Sequence, residues 1–235
     1  MSTETTEPTP THPINMSAAD KIQVLIALHC ESDRQARLLA ILNKIESSKA
    51  PASTSVGRHG GFEGGLTDHT LLVMRLALGF SNTIGSHISL TEAPSPESIV
   101  TATLLHDLNK VERLDGQPHY VPNFLSGGER STKKPWKANE EINPLSQALT
   151  ETTTAAIKIL IEHPSLQYPS GLLSLALAEK WSPGLVATLS DDEKQAIIWH
   201  GGAYEKGGRS GFANSESLLW LVTHAADFAA AISGT

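Results

Sequence analysis

With 235 residues, 40% of them hydrophobic and no apolar run of membrane-spanning length, the chain has material for one soluble domain with a sizeable core. The net charge of −7, from 25 acidic and 18 basic residues, argues against a long polyanion as the main partner, because nucleic-acid binders usually carry a basic stripe. A single cysteine, Cys30, excludes an internal disulfide framework and a thiolate metal cage. The start MSTETTEPTPTHP has neither a basic beginning nor an apolar run, so no signal peptide and a cytoplasmic location are expected.

Residues 1–16 are rich in Thr, Pro and Glu and are expected to form a disordered tail, with a single helical domain over 17–235. Ser17 and Asp20 are spaced as a capping box opening a first helix, with Ile22, Leu25 and Ile26 on its apolar face. A second helix is expected from about Ser32 to Ser47, packing through Leu38, Leu39, Ile41, Leu42 and Ile45. Lys49 to Gly65 is dense in Ser, Pro and Gly and reads as a loop. From Leu66 to Ile84 the residues His69, Val73, Leu76 and Phe80 recur at helical spacing, which aims His69 inward.

Pro94-Ser-Pro96 leads into a helix expected to run through Ile99 to Val111, with Ile99, Ala102, Thr103 and His106 on one face and Lys110 a turn beyond His106. Leu114 to Asn143 has many Gly, Pro and Lys residues and little periodicity, and a loop of that length is usually functional or mobile. Three more helices are expected at about 144–162, 170–181 and 191–200, then an irregular Gly-rich stretch to Asn214. A last helix over Ser215 to Ile232 sets Trp220, His224 and Asp227 roughly on one side. No strand pattern stands out. The expected fold is all-α, a compact multi-helix bundle of about seven or eight helices.

The chemistry centres on His106-Asp107 within LLHDLNK, residues 104–110. An Asp on a buried helix needs a cation, and a neighbouring His makes a metal the natural candidate. A buried salt bridge is the plain alternative for Asp107, but few basic residues lie near it in sequence. His69 and Asp227 sit on other helical segments. Together the four make a His, His-Asp, Asp set that could close around one divalent ion. The plain reading of Lys110 is a helix-end Lys favoured by the macrodipole, and that of His200 a helix cap before Gly201-Gly202.

The flanking words extend the pattern. PAST at 51–54, RHGGFEGGLTDHT at 58–70, LLHDLNK, AIIWHGG at 196–202 and LLWLVTHAADFAA closing the last helix together resemble the HD superfamily of metal-dependent phosphohydrolases. Within it they look like a subgroup often encoded by phages and prophages, with the resemblance running from about Pro51 to Ala231, which would be the metal-binding core. The resemblance implies one ion among Mn²⁺, Fe²⁺, Co²⁺, Ni²⁺, Mg²⁺ and Zn²⁺, held by His69, His106, Asp107 and Asp227. It implies that Lys110 counters charge developing on a phosphate, with His200 or Glu63 assisting proton transfer or orientation. His59 would lie near the site. Arg130, Lys133, Lys134 and Lys137 read as a solvated surface run or, from their place in a long Gly-containing loop, as a grip for phosphate.

Relatives with two metals often carry a His after that loop. Ser146 and Gln147 stand there instead, and His163 reads as a surface residue, which favours one metal over two. The substrate implied is a small phosphorylated molecule, a deoxynucleoside tri- or monophosphate first. The rival is an HD-type nuclease on single strands, since the segment before His69 also resembles HD-type exoribonucleases. A catalytically inactive nucleotide-binding protein is the third reading. No Gly-Tyr-Pro block of the cyclic-dinucleotide branch is present. HD proteins often form homo-oligomers, and Trp136 or Trp181 are candidates for a contact between copies.

Overall fold

A computed structural model describes residues 16–55, 59–87, 93–139, 170–202 and 217–233. Among them the chain is mostly helical, with eight α-helices and one antiparallel pair of short strands. The first helix, α1 (Ala18–His29), begins with the expected capping box. The Asp20 N–H donates to Ser17 Oγ at 3.1 Å, and the Ser17 N–H donates to the Asp20 carboxylate at 3.0 Å. Helix α2 (Ser32–Ser48) buries Leu38, Ile41, Leu42 and Ile45. Each such side chain taken fully out of water contributes about 1.5–3 kcal/mol.

The site rests on three helices. Helix α3 (Gly65–His87) lies along the last helix, α8 (Leu218–Ile232), and both meet α4 (Pro96–Leu105). Helices α5 (Ser170–Trp181), α6 (Leu185–Thr188) and α7 (Asp191–Ile198) close the other side, α7 packing on α4, α5 and α8. Ser95, Ser190 and Ser217 cap α4, α7 and α8 by accepting backbone N–H bonds. Val73, Met74, Ala102, Leu104, Leu105, Ile197, Val222 and Ala226 join one core. At Gly171 an added Cβ would come within 1.9 Å of the Ile197 carbonyl, so only glycine lets α5 lie this close to α7.

Two expectations are corrected. The helix expected to reach Val111 ends at Leu105, followed by a turn at His106-Asp107 and a 3₁₀ turn at Leu108–Lys110. The cause is a buried hydroxyl on α5. Ser174 Oγ donates to the His106 carbonyl at 2.9 Å and accepts the Asn109 N–H at 3.1 Å, offering the backbone partners that a continuing helix would otherwise supply. The long loop is not strandless either. Strand β1 (Tyr120–Pro122) pairs antiparallel with β2 (Trp136–Ala138), Val121 opposite Lys137. Such short strands present too few residues for an alternation to show in the sequence.

Both tryptophans named as candidates for a contact between copies are half-buried. Trp136 lies half-buried under the Arg130 guanidinium, 4.3 Å from its ring centre, and Trp181 Nε1 donates to Glu112 at 3.1 Å. The expected tail up to Asn15, the helix at 144–162, Ser146, Gln147 and His163 lie outside the described residues. Among those described, no helix is long and apolar enough to cross a membrane.

Candidate metal centre

The segment before α3 sets up the site by close backbone packing. Lys49 to Ala52 runs beside the glycine-rich stretch, with the Ala52 N–H on the Gly60 carbonyl at 2.8 Å and the Leu66 N–H on the Ala50 carbonyl at 3.0 Å. A Cβ on Gly65 would lie 2.2 Å from the Gly60 carbonyl oxygen. Gly60 itself has a positive φ of 60°. Gly60 and Gly65 are therefore steric requirements of this crossing. The crossing lays the His59 ring against that of His69, centroids 4.7 Å apart.

His69 on α3, His106 and Asp107 after α4, and Asp227 on α8 converge. His69 Nε2 stands 3.3 Å from Asp107 Oδ2 and 3.1 Å from Asp227 Oδ1. His106 Nε2 stands 3.2 Å from Asp107 Oδ2 and 3.4 Å from His69 Nε2. One ligand atom from each of the four lies within 4.8 Å of every other. His69, His106 and Asp107 are buried, and Asp227 is partly open to solvent.

The hydrogen bonds of the rings fix their tautomers, because a backbone carbonyl only accepts. His106 Nδ1 donates to the Thr103 carbonyl at 2.7 Å, which turns the Nε2 lone pair toward the cluster. His200 Nδ1 donates to the Ile197 carbonyl at 2.8 Å, and its Nε2 faces Asp107 Oδ1 at 3.6 Å. His224 donates to the His200 carbonyl at 2.6 Å, and His59 to that of Ala231 at 3.2 Å. His69 Nδ1 is buried and has no hydrogen-bond partner among the described residues. The centre thus gathers the His106 lone pair and two carboxylates, with His69 Nε2 against both carboxylates, an acceptor-rich set wanting a cation in its midst.

The electrostatics agree. Burial alone would raise the Asp107 pKa, but Lys110 and His106 hold it well below the usual carboxylate range. Lys110 Nζ lies 2.5 Å from Asp107 Oδ2, and although burial works against its charge, Asp107 and Asp227 keep the ammonium protonated above its ordinary range. Asp227 is lowered too, burial being outweighed by His69 and His106. His69 is raised: burial opposes the charge, and its bonds to Asp107 and Asp227 overcome that. His200 follows the same logic, reaching about 9 through Asp107 despite burial. Burial and then His69 push His59 down. Without a metal, protons and Lys110 serve as the counter-charges. The donor set fits a divalent ion, since mixed imidazole and carboxylate ligands suit the first-row metals and Mg²⁺.

Not every residue singled out in the sequence comes to the centre. His200 does, against Asp107, and His59 flanks it through His69. Glu63 does not join the cluster: its carboxylate is largely exposed and sits 3.5 Å from Lys49 Nζ. Arg130, Lys133, Lys134 and Lys137 stand exposed on the segment that links and forms the strand pair. Sequence reasoning missed Ser174, for which nothing in an apolar helix pattern signals a role. It also missed His119 and Tyr120, which lead into β1 with their rings 4.6 Å apart. Both lie within electrostatic range of Lys110 and Asp107, burial pushing His119 down and Tyr120 up. Their only signal was a His-Tyr pair in a loop after Lys110.

No protein-family model, curated protein or solved structure matches this chain. The functional reading therefore stands on the site itself and on the motif resemblance.

Proposed function

We propose that the protein is a divalent-metal-dependent phosphohydrolase acting on a nucleotide, a deoxynucleoside tri- or monophosphate being the leading substrate class. The observation carrying this reading is the convergence of His69, His106, Asp107 and Asp227 from separate elements into a single buried set of acceptors. An ion bound there would activate a water and polarise the phosphorus centre. Lys110, a partly exposed cation at the edge of the cluster, would neutralise a phosphate oxygen as charge develops. His200 would act as a positioning residue, holding the second oxygen of Asp107 so that Oδ2 faces the centre. Hydrolysis forms a bond from water oxygen to phosphorus, breaks the bond to the leaving oxygen, and returns a proton to that oxygen.

A nuclease is the second reading, and the strand pair supports it. The Arg130 guanidinium stacked on Trp136, with exposed Lys133, Lys134 and Lys137 nearby, is the kind of basic and aromatic surface that single strands use. The deciding experiment identifies the metal by elemental analysis, then offers that form a panel of nucleotides and oligonucleotides. Phosphate, pyrophosphate or triphosphate released from one nucleotide supports the first reading. Shortened oligonucleotides beside untouched nucleotides support the second, and bound metal with no turnover in either panel refutes both.

A further inference from the structure

A cavity of about 280 Å³ opens beside the acceptor cluster, lined by His59, Gly60, Phe62, Asp68, His69 and Leu72. It approaches the smaller end of ligand sites, which run roughly 300–1,000 Å³. His69 is the residue it shares with the cluster: Nε2 faces the two carboxylates, and the ring also borders the cavity. The walls are suited to a flat ring. The His59 imidazole lies against His69 on one side, and Leu72 and the half-exposed ring of Phe62 supply apolar surface.

The charges say which end of a substrate belongs there. Among the described residues no Lys or Arg lines the cavity, and Asp68 brings a negative charge that repels phosphate. The ammonium of Lys110 is held instead on Asp107, at the edge of the cluster. A phosphorylated molecule binding across both regions would therefore place its phosphate at the cluster and its uncharged part in the cavity.

We infer that this cavity is the subsite for the planar base of the nucleotide, and that Phe62 and Leu72 set the preference for nucleotides over simple phosphate esters. The inference rests on the metal-dependent reading above, and the experiment separates the two. Protein loaded with Mn²⁺ is titrated calorimetrically with inorganic phosphate and with AMP, as wild type, Leu72→Trp and Phe62→Ala. Leu72→Trp fills the cavity, and Phe62→Ala removes an exposed ring whose loss leaves the core intact.

The expected result is at least a tenfold loss of AMP affinity in each variant, with Mn²⁺ and phosphate affinities within twofold of wild type. Unchanged AMP binding in Phe62→Ala, or phosphate weakened as much as AMP, would overturn the subsite while leaving the phosphohydrolase standing. A Leu72→Trp chain that fails to fold leaves Phe62→Ala to decide. Failure of the wild type to bind Mn²⁺ would overturn both.

Discussion

Ser174 offers the sharpest test of how the site is held. Its side chain is fully buried on α5 and joins the two halves of the turn after α4, through the His106 carbonyl at 2.9 Å and the Asn109 N–H at 3.1 Å. Ser174→Ala removes a single oxygen and leaves a buried carbonyl and a buried N–H without that partner. Leaving a buried polar group unsatisfied costs about 1–3 kcal/mol, and part of the penalty is relieved as the turn relaxes, so a total loss of about 2–3 kcal/mol is expected. For a chain of this size that corresponds to a fall in Tm of roughly 4–12 °C.

The same relaxation moves His106 and Asp107, so the Mn²⁺ affinity should drop by about 10–100-fold, the usual range when a supporting hydrogen bond is lost. Thermal unfolding in EDTA reads the first effect and calorimetric titration reads the second. Ser174→Cys, which keeps a weak donor in nearly the same volume, should fall between wild type and Ser174→Ala. A Ser174→Ala protein with wild-type Tm and wild-type Mn²⁺ affinity would refute the assignment of the turn to this hydroxyl.

Other perturbations read other parts of the site. In the metal-free protein the His200 pKa is raised to about 9, so the stabilisation from its charge is complete below about 6.5, its unfolded value, and is lost as pH rises through 9. The loss should be on the order of 3 kcal/mol, and denaturant unfolding in EDTA at pH 6 and pH 9.5 checks it, His200→Gln shrinking the difference by about that amount. Lys110→Met should retain metal and lose about 10²–10³-fold in kcat, a loss read by steady-state kinetics and contradicted by unchanged turnover. Gly65→Ala would push a methyl to within 2.2 Å of the Gly60 carbonyl; overpacking of this kind costs about 1–3 kcal/mol, and an unchanged Tm would argue against the tight crossing.

The parts of the molecule that sequence made legible are those whose physics is local. The Ser17 capping box, the apolar stripe of α2 and the inward placement of His69 each follow from spacing along one helix, and the structure has all three. The convergence of His69, His106, Asp107 and Asp227 was legible through the motif blocks, since periodicity aims residues inward without saying that they meet. What escaped depended on distant partners. Helix α4 stops where a hydroxyl on α5 intervenes, 68 residues away from His106 in the chain. Glu63 looked chemically apt in its motif, yet its loop turns it outward to Lys49. The pairing of Val121 with Lys137 is likewise a relation between strands too short to carry their own alternation.

The tautomers of the imidazoles connect the fold to the chemistry of the centre. Thr103, Ile197 and Ala231 each offer a helical carbonyl to the Nδ1 of His106, His200 and His59. These carbonyls belong to the backbone, so the ring orientations are set by where α4, α7 and α8 end or pass, and they persist as long as the helices do. With Nδ1 protonated, the Nε2 lone pair of His106 turns toward the cluster, and Nε2 of His200 faces Asp107. Burying that many acceptors together is costly unless positive charge enters. The metal-free protein meets the need with Lys110 and with the raised proton affinity of His69 and His200, and a divalent ion meets it with one particle at the centre. Metal and protons therefore compete for the same lone pairs, and metal affinity should rise with pH as His69 gives up its proton.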